Sequence, residues 1–175
     1  MLLNDRIFIR LPLPALRHIL KHEADKSRAP AHIDCMSLPR GKDARTFYRV
    51  AKQRFSDAEL LLAPEHNRTT SAVYLAGYGV ECMLKALLPE RVPESQHNSI
   101  EGFFRRPSGH DLRLLVRELR RRSPFAVPSD IERTLVRINT WTPNLRYTAG
   151  SIRRSIADEF LRDVGRLIQW FDERI

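Results

Sequence analysis

Residues 76–88, with the sequence AGYGVECMLKALL, constrain the fold more than any other part of the chain. This segment is apolar on nearly every face of a helix, which is typical of a helix at the centre of a bundle. Gly77 and Gly79 each cost about 1 kcal/mol relative to alanine inside a helix, so they need a packing reason. A missing side chain lets another helix approach closely. The chain is therefore expected to build its core around this segment.

The same segment carries two charged residues, Glu81 and Lys85, one helical turn apart. The glutamate precedes the lysine, which is the orientation that favours an ion pair on a helix. Two interpretations remain open. The pair lies on the surface and contributes a few tenths of a kcal/mol, on the order of 0.3, or it shares a narrow polar edge of a buried helix. In the second case it either orients that helix against its neighbours or marks a cleft.

The rest of the chain after residue 42 has helical periodicity and no strand-like alternation. Helices are expected over residues 43–62, with an apolar stripe, and 68–88, ended by Pro89; residues 89–109 are expected to form a loop. Three further helices are expected: one starting at His110 or Asp111, one capped by Ser129, and one over about 151–174. The last has Ile152 and Ile156 on its apolar face. The sequence predicts an all-α, up-and-down bundle of four to five helices.

Residues 1–42 differ from the remainder. They contain four prolines, scattered charges and short apolar pieces, and Met36 is followed by a sequence that looks like a natural protein start. We expect residues 1–42 to be a poorly ordered or peripheral arm and residues 43–175 to form the helical domain. For the first 35 residues, the alternative is an upstream extension of the gene.

The charge balance favours an acidic partner. The formal net charge is +9, and nucleic acid is the commonest partner of such a basic chain. Arg113, Arg117 and Arg120 would form a stripe along one helix, which either binds phosphates or is a solvated face. Two cysteines without CxxC spacing, and histidines without ligand spacing, predict neither a disulfide framework nor a metal site. No membrane partner is expected, and the expected location is the cytoplasm.

Three stretches together resemble the HEPN family: YLAGYGVECMLKALL, then GHDL with a leucine-rich helix, then WTPNLRY before a terminal amphipathic helix. The resemblance covers about residues 43–175. It implies a small helical bundle that usually dimerises and that occurs beside nucleotidyltransferases and in toxin–antitoxin and defence systems. Many members are ribonucleases with an Arg-x4-6-His motif facing its copy across the dimer, and others are non-catalytic binding modules. The implied cleavage uses no metal or cofactor.

Arg105 and His110 fit Arg-x4-His in this sequence, so the resemblance implies that they are the catalytic pair. Pro107 and Gly109 place them in a loop or at a helix start, whereas the family motif is usually helical. A second interpretation of His110 is packing or capping at a helix N-terminus, together with Asp111.

Aromatic residues supply the remaining candidates. Tyr74 and Tyr78 are expected in the core, and Trp141 and Tyr147 in an exposed pocket around Arg146, where they would stack on bases. The favoured function is a homodimer that binds nucleotide or RNA, with or without cleavage. The alternatives are a non-catalytic module partnered with a nucleotidyltransferase, antitoxin or other defence protein, and a structural helical dimer. The expected nucleotide- or RNA-binding residues are Glu81, Lys85, Arg113, Arg117, Arg146 and Tyr147.

Overall fold

The computed structural model describes residues 38–123 and 126–175, and these consist of helices and connecting turns. The described residues form six α-helices: α1 (Lys42–Leu62), α2 (Thr69–Glu90), α3 (His97–Phe104), α4 (Leu112–Arg122), α5 (Ser129–Ile138) and α6 (Arg154–Asp172). The predicted all-α class is confirmed. The prediction of an N-terminal arm falls almost wholly outside the described residues and stays a prediction.

Helix α2 forms the centre of the bundle, as its composition predicts. Its residues from Val80 to Leu88 are all buried, and it packs against α1 along one side and against α6 along another. Gly79 allows the close approach to α1, because a β-carbon there would lie 3.2 Å from the backbone oxygen of Ala51. The atoms nearest to a β-carbon on Gly77 belong to the indole of Trp141, which comes from the turn after α5.

Helix α2 is also long and apolar enough to cross a membrane by length and composition. However, 78% of its most apolar window is buried inside the bundle. A central helix of a folded domain gives the same signal, because its apolar faces are covered by neighbouring helices rather than by lipid.

The segment from 89 to 109 is not the loop that the sequence predicts. Helix α2 continues one residue past Pro89, and residues 97–104 form α3. The reason for the error is the length of α3: it has eight residues and buries only Ile100 completely. Two turns are too short for an apolar stripe to be recognised.

Two details of the later helices also differ from expectation. Ser129 is the first residue of α5 rather than its N-cap; Pro128 occupies the cap position, and no side chain among the described residues caps this helix. Helix α6 begins at Arg154, and Ile156 in its first turn is 53% exposed. The apolar face of α6 becomes buried only from Ala157 onward.

Candidate functional site

A buried carboxylate, Glu81, joins two basic side chains at the centre of the molecule. Its Oε1 atom accepts a hydrogen bond from Lys85 Nζ at 2.8 Å and one from His110 Nδ1 at 2.9 Å. Glu81 is 1% exposed and Lys85 is 4% exposed. The interpretation as a surface pair is therefore wrong, and the buried interpretation is confirmed. We call these three residues the Glu81 cluster.

The other carboxylate oxygen, Glu81 Oε2, is buried and has no hydrogen-bond partner among the described residues. A buried polar atom without a partner is costly, since it has lost its water without compensation. Lys85 and His110 therefore donate their hydrogen bonds to one and the same carboxylate oxygen, Oε1.

Local structure brings His110 to Glu81. His110 ends a 3-10 turn, Pro107–His110, that immediately precedes α4. Gly109 lets this turn lie against the end of α3, because a β-carbon there would be 2.6 Å from the Phe104 carbonyl oxygen. Asp111 then caps α4, accepting hydrogen bonds from the backbone N–H groups of Arg113 and Leu114. Capping is thus the role of Asp111, and His110 bonds to Glu81 instead.

The bond to Glu81 orients the His110 imidazole. An ionised carboxylate only accepts, so Nδ1 is the donor and, in the neutral ring, Nε2 is the acceptor. The His110 side chain is 48% exposed, although its partner is buried. A carboxylate that fixes one ring nitrogen while the other stays available is the arrangement found in histidines that transfer protons.

Lys85 also lies beside a pair of aromatic rings that were not predicted as part of the site. Its Nζ is 5.8 Å from the centre of the Phe47 ring and 5.6 Å from that of Phe104. Such contacts favour a cation that has lost its water. Lys85, Phe47 and Phe104 all line a cavity of about 510 Å³, which we call the Lys85 cavity.

His110 lines a separate cavity of about 410 Å³ between the start of α4 and the turn after α5, which we call the His110 cavity. Arg113 and Arg146 line it too, so three of the predicted site residues come together here. Asn139 and Asn144 add amide groups to the wall. Neither asparagine was predicted from the sequence, although Asn144 lies within the WTPNLRY stretch and Asn139 lies two residues before it.

Arg105 does not share this cavity with His110. It lines the Lys85 cavity, is 80% exposed, and lies 3.4 Å from Glu101 on its own helix. Within one chain, therefore, the two members of Arg-x4-His face different cavities. Their meeting across two subunits stays a prediction.

The remaining predicted residues lie around the His110 cavity. Arg117 lines an adjoining groove of about 270 Å³ between α4 and α5, which also includes Arg113 and Arg120. Tyr147 is 75% exposed, and the Arg146 guanidinium lies 4.8 Å from the centre of its ring. Both residues are thus accessible to a ligand that extends out of the cavity.

Trp141 differs from its prediction as an exposed stacking residue. It is 4% exposed and its Nε1 donates a hydrogen bond to the backbone oxygen of Tyr74 at 3.1 Å. The indole packs over Gly77, so its position is set by the core. It forms part of the wall of the His110 cavity.

Asp111 and Cys82 are two of the titratable groups near the site that have altered pKa values. Burial raises the pKa of Asp111, but hydrogen bonds from Arg113 and from the backbone of Leu114 outweigh this and lower it overall. Burial, reinforced by the neighbouring Glu81, raises the pKa of the Cys82 thiol to about 12. Cys82 therefore stays protonated and is a poor nucleophile.

Comparison with known proteins gives one family. The model of the HEPN domain matches residues 44–174, which is well over half of the chain. No curated protein and no solved structure matches the chain.

Proposed function

This chain belongs to the HEPN family, and from that premise we propose that it binds the phosphate groups of RNA or of a nucleotide in the His110 cavity. The observation that supports this most directly is the convergence of His110, Arg113 and Arg146 on one cavity. Arginine guanidinium groups match phosphate oxygens in a bidentate way, and the asparagine amides can hydrogen-bond to sugar or base.

The surroundings of the cavity fit an extended ligand better than a free phosphate ion. The adjoining groove continues from Arg113 to Arg117 and Arg120, so a second phosphate has basic partners along α4. Arg120 is closely paired with Glu132, whereas Arg113 contacts Asp111 only at 3.4 Å, so we infer that Arg113 and Arg117 are the main contacts. Tyr147 beside Arg146 offers an exposed ring for stacking on a base.

The test is binding of a short fluorescent single-stranded RNA, followed by fluorescence anisotropy. Arg113→Gln and Arg146→Gln should each weaken binding several-fold. Each should also reduce the slope of log affinity against log salt concentration by roughly one, as expected for the loss of one phosphate contact. Arg133→Gln removes the same charge from an exposed position on α5 outside the cavities and is the matched control. If all three variants weaken binding equally, the cavity is not the binding site.

A second candidate function is metal-independent RNA cleavage by a homodimer, and the bond between Glu81 and His110 favours it. In this reaction the RNA 2′-hydroxyl attacks the adjacent phosphorus and His110 Nε2 takes the hydroxyl proton. The bond to the 5′-oxygen breaks, and that oxygen takes a proton from water to leave as a hydroxyl. An arginine stabilises the charge that develops on the phosphate. We expect this arginine to be Arg105 of the second subunit.

Cleavage of total RNA in EDTA, by protein of known oligomeric state, tests this version. We expect His110→Ala to abolish cleavage and Arg105→Gln to weaken it, while the fold stays intact by circular dichroism. If the wild-type dimer binds RNA without cleaving it, the proposal of cleavage is wrong and the chain is a non-catalytic binding module. Its expected partner is then a nucleotidyltransferase or an antitoxin, which co-purification from the native host would identify.

A further inference from the structure

The Lys85 cavity has the size and chemistry of a small-molecule site that is separate from the proposed RNA site. Its volume of about 510 Å³ lies within the usual range for ligand pockets, about 300 to 1,000 Å³. Phe47, Ile100 and Phe104 supply an apolar wall, and Lys85 supplies a charged group at its inner end. We propose that this cavity binds a small organic anion whose apolar ring packs against the phenylalanines and whose anionic group contacts Lys85 Nζ.

The preference for an anion follows from the hydrogen bonding of Lys85. An ammonium group has three donors, and within the described residues Lys85 Nζ has one acceptor, Glu81 Oε1. That same oxygen also accepts from His110, so its charge is divided between two donors. The two phenylalanine rings near Nζ attract the cation but accept no ordinary hydrogen bond. An anionic group in the cavity would satisfy the remaining donors.

The charges at the mouth of the cavity balance, and Lys85 at the inner end supplies the excess positive charge. Lys42 and Arg105 oppose Asp43 and Glu101 there, and Arg105 and Glu101 already contact each other. With Lys85 included, the lining cations exceed the lining carboxylates by one. A multiply charged anion would meet the two carboxylates, so the charge balance favours a single negative group.

The start of α1 adds to this preference. Gly41 to Ala44 line the cavity, and no side chain of the described residues caps this helix. The Glu90 carboxylate accepts from the backbone N–H groups of Arg40 and Gly41, so the outermost donors are already in use. The first-turn donors further inside leave a partial positive charge beside the cavity.

A pair of dyes separates the anionic group from the apolar body. The probe is 8-anilinonaphthalene-1-sulfonate, a singly charged aromatic anion, and its neutral companion is N-phenyl-1-naphthylamine, which lacks the sulfonate. We expect saturable one-to-one binding of the sulfonate dye by fluorescence and calorimetry. Lys85→Met should weaken it about tenfold, a free-energy change of about 1.4 kcal/mol, and leave the neutral dye unchanged.

Two further variants show where the dyes bind. Thr46→Phe places a ring at an exposed position that lines the cavity, and it should block both dyes. Gln53→Phe makes the same change at an exposed position two turns along α1, outside the cavity, and should block neither. Equal losses in these two variants, or no saturable binding by the wild type, would overturn the proposal.

Lys85→Met leaves the Glu81 carboxylate buried without its lysine, which can prevent folding. The double variant Glu81→Gln with Lys85→Met removes both charges and serves if the single variant does not fold. If the double variant loses the neutral dye as strongly as the anionic dye, Lys85 does not recognise the anionic group and the proposal is wrong. None of these outcomes depends on whether the chain binds RNA.

Discussion

At the scale of single residues, Gly77 sets the distance between α2 and the turn after α5. A β-carbon at this position would lie 2.3 Å from the indole ring of Trp141, which is much closer than any real contact. Trp141 is held in turn by its hydrogen bond to Tyr74 and forms a wall of the His110 cavity. The shape of that cavity therefore depends on one missing side chain.

Gly77→Ala should destabilise the fold by about 1–3 kcal/mol, because a rigid buried ring has to move. Gly102→Ala is the matched control: it also lies in a helix, and a β-carbon there would meet no described atom within 4 Å. The free energy of unfolding of Gly102→Ala should rise by up to about 1 kcal/mol, because alanine favours a helix more than glycine does. Urea unfolding measures both. Equal free energies of unfolding for the two variants would contradict the packing role of Gly77.

The sequence predicts that the two glycines of α2 need a packing partner, but it does not identify Trp141 as one of them. The reason is that helical periodicity describes each segment separately, whereas Trp141 comes from a distant turn. The same limit applies to Lys85. Its spacing from Glu81 is visible in the sequence, but the two phenylalanines around it come from α1 and α3.

At the scale of elements, α4 is fixed at both ends by charged hydrogen bonds. Asp111 caps its start. Near its end, Glu118 accepts from Arg121 and Arg122, and Arg122 also donates to Gln96 Oε1 and Ser99 Oγ at 3.0 Å. Glu118 thereby helps to hold α4 against the segment that contains α3.

The Glu118 contacts predict a loss of stability in acid. The hydrogen bond from Arg121 is the largest cause that lowers the pKa of Glu118, from 4.5 to about 2, and Arg122 adds to it although burial opposes it. A lowered folded-state pKa means that the stabilisation is complete above the unfolded pKa and disappears as the pH falls through the folded one. Glu118→Gln should therefore lower the free energy of unfolding by about 1 kcal/mol at about pH 6. The difference from wild type should shrink below the unfolded pKa of 4.5 and disappear as the pH falls below about 2.

Thermal and urea unfolding of both proteins across this range measure that difference. A cost that stays constant with pH would mean that packing of the Glu118 side chain, rather than its charge, stabilises α4.

The sequence predicts best the helices that carry a long stripe of apolar residues. Helix α1 is expected over 43–62 and observed over Lys42–Leu62, and α2 is likewise found where its apolar run predicts. Helix α3 was missed because only Ile100 is fully buried in it. Without α3, the position of the candidate catalytic pair could not be predicted. Helix α3 and the turn after it determine that Arg105 and His110 face different cavities.

At the scale of the whole molecule, residues Met36–Ile175 form a compact unit of their own. The HEPN match begins at residue 44, inside this unit. We therefore predict that a chain starting at Met36 folds cooperatively, with a free energy of unfolding within about 0.5 kcal/mol of that of the full chain. Urea unfolding followed by circular dichroism compares the two. A substantial loss of stability would show that the first 35 residues contribute to the fold.

The shared oxygen of Glu81 has a consequence for the two cavities together. Lys85 and His110 both donate to Oε1, and each faces a different cavity. An anion that takes the remaining donors of Lys85 weakens the bond from Lys85 to this oxygen, so Oε1 accepts more strongly from His110 and holds it more firmly for its own ligand. Saturating sulfonate dye should therefore tighten RNA binding a few-fold, and Glu81→Gln should reduce this effect. Since thermodynamic linkage is reciprocal, RNA should tighten dye binding by the same factor.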